Sequence, residues 1–184
     1  MLTASEAWAV LEGAEEIFPA VEVNLAVRRV AAEIRTRLAD QHPLLLSVMG
    51  GAVVFTGNLL PLLHFPIDFD TIHVTRYGDE TQGGRLVWKL LPRENVAGRL
   101  VLIVDDILDE GRTLAAIRDM VLGLGAREVL SCVFADKQIG REKPIKADFV
   151  GLQVPNRFVF GFGMDVRGAW RNLPSIYAVR DAEN

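Results

Sequence analysis

Apolar residues recur along the first forty positions at the spacing of a single helix face. Val23, Ala26, Val27, Val30, Ala31, Ile34 and Leu38 stand at i, i+3, i+4 and i+7, while Arg28, Arg29, Glu33, Arg35 and Arg37 take the other positions. This predicts an amphipathic helix with a solvated charged side. Upstream, Thr3 or Ser5 is placed to cap a shorter helix, predicted to run to about Phe18, where Pro19 stops it. After Pro43 the texture changes. LLLSVMGG is a short apolar run closed by paired glycines, which suits a buried strand entering a loop, and AVVFTGNLLPLLHF reads as a helix ended near Pro61. IDFDTIHV, RLVWKLL, LVLIV, EVLSCVFA, DFVGLQV and SIYAV are strand-like in length and β-branched content. From about Arg112 a helical stripe of Leu114, Ile117, Val121 and Leu124 returns, with Gly125 as its terminator. Helices alternating with fully apolar strands predict an α/β fold with a largely parallel sheet flanked by helices.

The chain has 184 residues, half of them apolar, which is room for one domain with a proper core. No repeat, low-complexity tract or long linker divides it. Acidic residues number 24 and basic residues 20, and the net charge of −4 argues against a nucleic-acid or anionic-membrane partner. Cys132 is the lone cysteine, so neither an intrachain disulfide nor a thiolate metal cluster is available. The opening MLTASEAWAVLEGAEE lacks a basic region followed by an apolar one, and no apolar run is long enough for a bilayer span. A cytoplasmic location is expected.

The chemistry concentrates in RLVLIVDDILDEGRTLAAIRDMVLGLGA, residues 99–126. An apolar strand ends in two carboxylates, Asp105 and Asp106; Asp109 follows, then Glu110, Gly111, Arg112 and Thr113, and then a helix. Ligands of open α/β sheets bind beyond the carboxyl ends of the strands. A glycine turn opening a helix there offers free amides and the positive end of the helix dipole, which suits a phosphate. Gly111 supplies the turn and Thr113 a hydroxyl donor. The neighbouring carboxylates suit sugar hydroxyls, a cation or developing positive charge, so the string describes a site for a phosphorylated ribose. An ordinary capped turn would explain the acidic pair alone, but not the whole string after an apolar strand. The phosphoacceptor domain of response regulators also carries VLIVDD, but on its first strand, and no later DxxMP-like strand end occurs here.

VLIVDDILDEGRTL closely resembles the phosphoribosyl pyrophosphate signature of type I phosphoribosyltransferases. From about residue 44 to 179 the chain resembles their hypoxanthine-guanine branch, through VMGG, the RYGDETQGG loop, Asp136-Lys137 and FVFGFGMDVRGAWRNL. The resemblance implies a parallel-sheet core with a small hood, contributed by the N- and C-terminal segments of a single 1–184 domain. It also implies Mg²⁺, phosphoribosyl pyrophosphate and a 6-oxopurine base as partners, and a homodimer or homotetramer. The implied reaction transfers the phosphoribosyl group to hypoxanthine or guanine, giving IMP or GMP and pyrophosphate. A xanthine-preferring enzyme, an RNA-binding pyrimidine regulator of the same fold and a phosphosugar binder without turnover are the alternatives. Asp109 and the net charge weigh against the regulator.

The same resemblance distributes roles. Met49, Gly50 and Gly51 form the pyrophosphate loop, through backbone contacts only because Met49 replaces a lysine, with a cis peptide expected at Val48–Met49. Tyr77 belongs to a lid that excludes water from an oxocarbenium-like sugar; Arg76 is left open. Asp109, Glu110, Gly111, Arg112 and Thr113 hold the 5′-phosphate, Asp105 and Asp106 the ribose hydroxyls, and Asp109 serves as general base. Lys137 donates to the exocyclic oxygen of the base, Phe158 stacks on it, and the Val159 backbone reaches its pyrimidine edge. Phe160 and Phe162 are expected in the core. Asp165, with Asp105, associates with the metal, and Arg171 contacts pyrophosphate. Glu110 stands where the family carries Thr or Ser; its side chain is expected to face solvent, with Arg112 compensating its charge. Cys132 is expected in the core, and His42, His64 and His73 receive no role.

Overall fold

Val23 to Leu38 carry one continuous apolar stripe, and all seven of its residues are buried in α2 (Ala20–Leu38). The computed structural model describes residues 2–77 and 85–180. α2 packs with α3 (Ala52–Leu59) on one face of a sheet, and α4 (Arg112–Gly123) packs on the other. The sheet consists of β2 (Leu44–Met49), β3 (Asp68–Tyr77), β4 (Arg85–Leu90), β5 (Leu100–Leu108), β6 (Glu128–Lys137) and β7 (Phe149–Val154), in the order β4-β3-β2-β5-β6-β7 among the described residues. All its pairings are parallel except β3–β4. β5 shows why its sequence is apolar throughout: Leu100, Leu102 and Val104 enter the core under α2, and Val101 and Ile103 the core under α4. A strand covered on both faces favours apolar residues at every position, and the first acids of β5, Asp105 and Asp106, come toward its carboxyl end. The expected α/β architecture with a largely parallel sheet is the observed one.

The N-terminal expectation needs correction. α1 (Ala4–Glu12) is capped by a Thr3–Glu6 box and ends at Gly13, far short of Phe18. Residues Ala14–Phe18 form a strand, β1, antiparallel to β9 (Ile176–Val179), with Ala14 opposite Val179. The partner lies at the other end of the chain, so local composition gave no hint of it. β8 (Val159–Phe160) completes this small sheet in the order β1-β9-β8. SIYAV is thus a strand as expected, but in the small antiparallel sheet. Leu124, expected on the buried stripe of α4, is 47% exposed, because the helix ends at Gly123 and the chain turns through Gly125 at φ 91°.

The two sheets meet through aromatic rings. Phe134 of β6 is fully buried, with Phe55 of α3 at 5.1 Å and Phe162 at 4.5 Å between ring centroids. Phe160 and Phe162 are core, as expected, although only Val159–Phe160 is strand. Gly161 and Gly163 take φ of 97° and 104°, and a Cβ on either would come within 2.2 Å of a backbone oxygen, Ser175 O or Gly51 O. α1 has no buried residue. It is fastened by an edge-to-face contact between Trp8 and Trp170, and by Trp170 Nε1 donating to Ala7 O at 2.8 Å.

Candidate active site

β2, β5 and β6 run parallel, so their carboxyl ends open on the same side, and a cleft of about 950 Å³ lies there. The cleft brings together Met49, Gly50, Gly51, Asp105, Asp106, Asp109, Glu110, Gly111, Thr113, Lys137, Phe158, Asp165 and Arg171. Residues far apart in the chain thus converge because each lies at or just past the end of a parallel strand, or beside the small sheet, before β8 or between β8 and β9.

At its floor are the two adjacent acids. Asp105 is 9% exposed and its Oδ1 accepts from the Asp106 amide at 2.9 Å; Asp106 Oδ1 accepts from the Ile107 amide at 2.9 Å. Burial, and then the charge of Asp106, push the Asp105 carboxyl well above the ordinary carboxylate range. Burial raises Asp106 as well, against the hydrogen bond from Asp105 and the attraction of Arg171. Two buried carboxyls side by side disfavour the state in which both are ionised, because each charge is desolvated and faces the other.

The loop after β2 seats directly on this pair. A Cβ at Gly51 would fall 1.7 Å from Asp106 Oδ2, so any larger residue there would displace the Asp106 carboxylate. The cis peptide lies one bond later than expected, at Met49–Gly50 rather than Val48–Met49. It falls immediately before the glycine pair, where the chain turns from the end of β2 toward the acids.

Beyond Asp109 the chain turns through Gly111 at φ 81° and enters α4, with the Ala115 amide donating to Gly111 O at 3.0 Å. The amides at the start of α4 thereby face the cleft that Glu110, Gly111 and Thr113 line. The Glu110 side chain is 37% exposed. Its carboxylate pairs with Arg112, 3.4 Å away, and with Arg141, a residue the sequence reading did not single out. Across the cleft, Lys137 is no loose surface lysine. Its side chain is 12% exposed and its Nζ lies 2.7 Å from Asp109 Oδ2. Lys143 steadies the same region, donating to Leu108 O at 2.7 Å and to Asp136 Oδ1 at 2.6 Å.

Phe158 is 53% exposed at the cleft and so presents a free ring face. Arg171 pairs with Asp165 and donates to Gly163 O at 2.7 Å, while Asp165 Oδ2 accepts from the Gly168 amide at 2.7 Å. Two expected residues do not line the cleft. Val159 is buried in β8 opposite Ala178, and Arg112 is turned to Glu110. Tyr77 is the last residue of β3, and residues 78–84 of the expected lid lie outside the described residues. His73, Thr75 and Asn156 line the cleft without having been predicted. Only the register, which sets His73 beside Met49, would have revealed the first.

Among the described residues no three His, Cys, Asp or Glu side chains gather into a site that could hold a metal by themselves. Magnesium does not require such a cage; one or two carboxylates plus substrate oxygens suffice. The buried acidic pair, with no salt bridge of its own among the described residues, fits a cation of this kind.

The family description "Phosphoribosyl transferase domain" matches residues 13–167. The chain is 33% identical over 162 residues to the hypoxanthine-guanine phosphoribosyltransferase of Bacillus subtilis, covering 88% of this chain and 90% of that one. It is 36% identical over 157 residues to the bifunctional protein TilS/HprT of Listeria monocytogenes, covering 84% of this chain but only 24% of that longer protein. The crystal structure of a hypoxanthine-guanine phosphoribosyltransferase from Bacillus anthracis superposes with a TM-score of 0.84 at 26% identity, covering 90% of this chain and 98% of that one.

Proposed function

The chain belongs to the phosphoribosyltransferases and, within them, to the hypoxanthine-guanine branch, and from that premise we propose that it transfers the 5-phosphoribosyl group of phosphoribosyl pyrophosphate to hypoxanthine or guanine in purine salvage. The C1–oxygen bond to pyrophosphate breaks, a C1–nitrogen bond to the base forms, and IMP or GMP leaves. The observation that carries this reading is the Lys137–Asp109 pair, which lines the same cleft as the glycine turn and the two adjacent acids. A 6-oxopurine presents its exocyclic oxygen and N7 as neighbours on one edge. A lysine donor and a carboxylate acceptor held 2.7 Å apart match that edge when the base opens the pair. Adenine, with an amino group in place of the oxygen, would leave the ammonium unpaired.

The roles then follow from position. The amides of Glu110, Gly111, Arg112 and Thr113 hold the 5′-phosphate at the positive end of α4. Asp105 and Asp106 accept from the ribose hydroxyls and stabilise positive charge on the sugar as pyrophosphate departs. The backbone of Met49, Gly50 and Gly51, together with Arg171, receives the pyrophosphate. Phe158 stacks on the base and Asp109 takes its N7 proton, while Val159, which does not line the cleft, is given no side-chain part. Tyr77 is assigned to a lid over the reacting carbon, the rest of which lies outside the described residues. Mg²⁺ would be held by Asp105 and Asp165 with substrate oxygens, and when bound it neutralises the leaving group.

The small β1-β9-β8 sheet is the hood of a single 1–184 domain. A cytoplasmic homodimer or homotetramer is expected, with no nucleic-acid or membrane partner; among the described residues no helix is long and apolar enough to cross a membrane. The test is pyrophosphate release with Mg²⁺ and phosphoribosyl pyrophosphate, against hypoxanthine, guanine, xanthine, adenine and uracil separately. Release with hypoxanthine and guanine alone supports the proposal, dominance of xanthine replaces the base assignment, and silence with every base removes the reaction.

A further inference from the structure

Glu110 sits within the glycine turn that opens α4, where a carboxylate would oppose any anion bound by the amides. Its residue lines the main cleft, yet its side chain is taken by two cations, Arg112 at 3.4 Å and Arg141. Arg141 does not line that cleft. It lines a neighbouring cavity of about 600 Å³, formed largely by the segment after β6 and sharing Leu108 and Lys137 with the first. The same segment backs the turn at other points. Lys143 donates to Leu108 O, and a Cβ on Gly111 would come within 3.3 to 3.4 Å of Pro144, Ile145 and Lys143. The turn is therefore braced from behind by residues 141–145, and the carboxylate at its tip is drawn to that bracing side.

We propose that Arg141 is a positioning residue that acts through Glu110. By holding the Glu110 carboxylate toward the neighbouring cavity, it keeps a fixed negative charge out of the turn and leaves the amides to the phosphate of the ligand. The proposal rests on the reading of residues 109–113 as the 5′-phosphate loop. It also accounts for how this chain carries a glutamate where the resembling family carries a hydroxyl. An ion pair whose arginine side chain is 61% exposed contributes little to folding stability. Its effect belongs to ligand affinity, where a released carboxylate a few ångströms from a phosphate repels it through a half-buried loop.

The test is a double-mutant cycle read by titration calorimetry with phosphoribosyl pyrophosphate and Mg²⁺, beside steady-state kinetics. Arg141→Gln should weaken binding by about tenfold, leave kcat within about twofold and leave the melting temperature unmoved. Arg141→Lys should retain most of the affinity. The decisive variant is Glu110→Thr combined with Arg141→Gln, which should bind as tightly as the wild type or more tightly, since no charge remains to be held away. Wild-type affinity in Arg141→Gln overturns the proposal. A double variant as weak as Arg141→Gln also overturns it, because Arg141 would then touch the ligand itself. A wild-type protein that binds no phosphoribosyl pyrophosphate removes the phosphate-loop reading and the proposal together. Binding without turnover of any base removes the reaction alone, and the cycle is then decided by calorimetry.

Discussion

Asp105→Asn should make the ligand-free protein more stable while removing its activity. The carboxyl is 9% exposed and lies beside the buried Asp106, and burial followed by that neighbour's charge raises its pKa. With the folded pKa above the unfolded one, the native state keeps a proton that the unfolded chain has released. Stability therefore falls as pH rises from the ordinary carboxylate pKa to the raised one, and the cost is present in full above it. Each unit of displacement corresponds to about 1.4 kcal/mol. Relieving a buried like-charge pair by an isosteric amide should return about 1–3 kcal/mol. The asparagine oxygen still accepts from the Asp106 amide, so the local hydrogen bond need not be lost. In a chain of this length 1 kcal/mol moves the melting temperature by about 2–4 °C, so a rise of about 2–12 °C is expected near neutral pH. The assay is thermal denaturation without Mg²⁺ or ligand from pH 4.5 to 8.5. The gain should grow with pH, and added Mg²⁺ with phosphoribosyl pyrophosphate should stabilise the wild type more than the variant. A variant less stable than the wild type at neutral pH, or a gain that ignores pH, would refute the idea that the acidic floor is held against its own repulsion.

Asp109→Ala should lower turnover by about 10²–10⁴-fold if the carboxylate is the general base, with phosphoribosyl pyrophosphate binding retained by calorimetry; unchanged turnover removes that role. Gly51→Ala drives a methyl group to within 1.7 Å of Asp106 Oδ2, and the forced displacement should cost about 10²-fold in kcat/KM. Wild-type kinetics in that variant would mean the loop does not rest on the acids. Phe134→Ala removes a fully buried ring that joins Phe55 to Phe162; denaturant titration should show a loss of about 3–5 kcal/mol, and a loss below 1 kcal/mol would deny the ring its part in joining the two sheets.

The elements that the sequence predicted well are those whose signal is local. The stripe of α2 and the uninterrupted apolar run of β5 repeat within a few residues, so burial on one face or two can be read directly. The acidic strand end, the glycine turn and the start of α4 are likewise contiguous, and they located the cleft before any coordinate did. What only tertiary structure decided depends on partners distant in sequence. Ala14–Phe18 is strand because Ile176–Val179 returns beside it, and no helical or strand propensity within the segment carries that information. His73 joins the cleft through its register beside Met49, and Arg141 meets Glu110 across thirty-one positions because β5 and β6 end together. Lys137 received its role only through the family resemblance, and it is the parallel strands that set it against Asp109. Periodicity records which face of an element is buried, whereas the pairing of strands determines which charges from different elements are forced to meet.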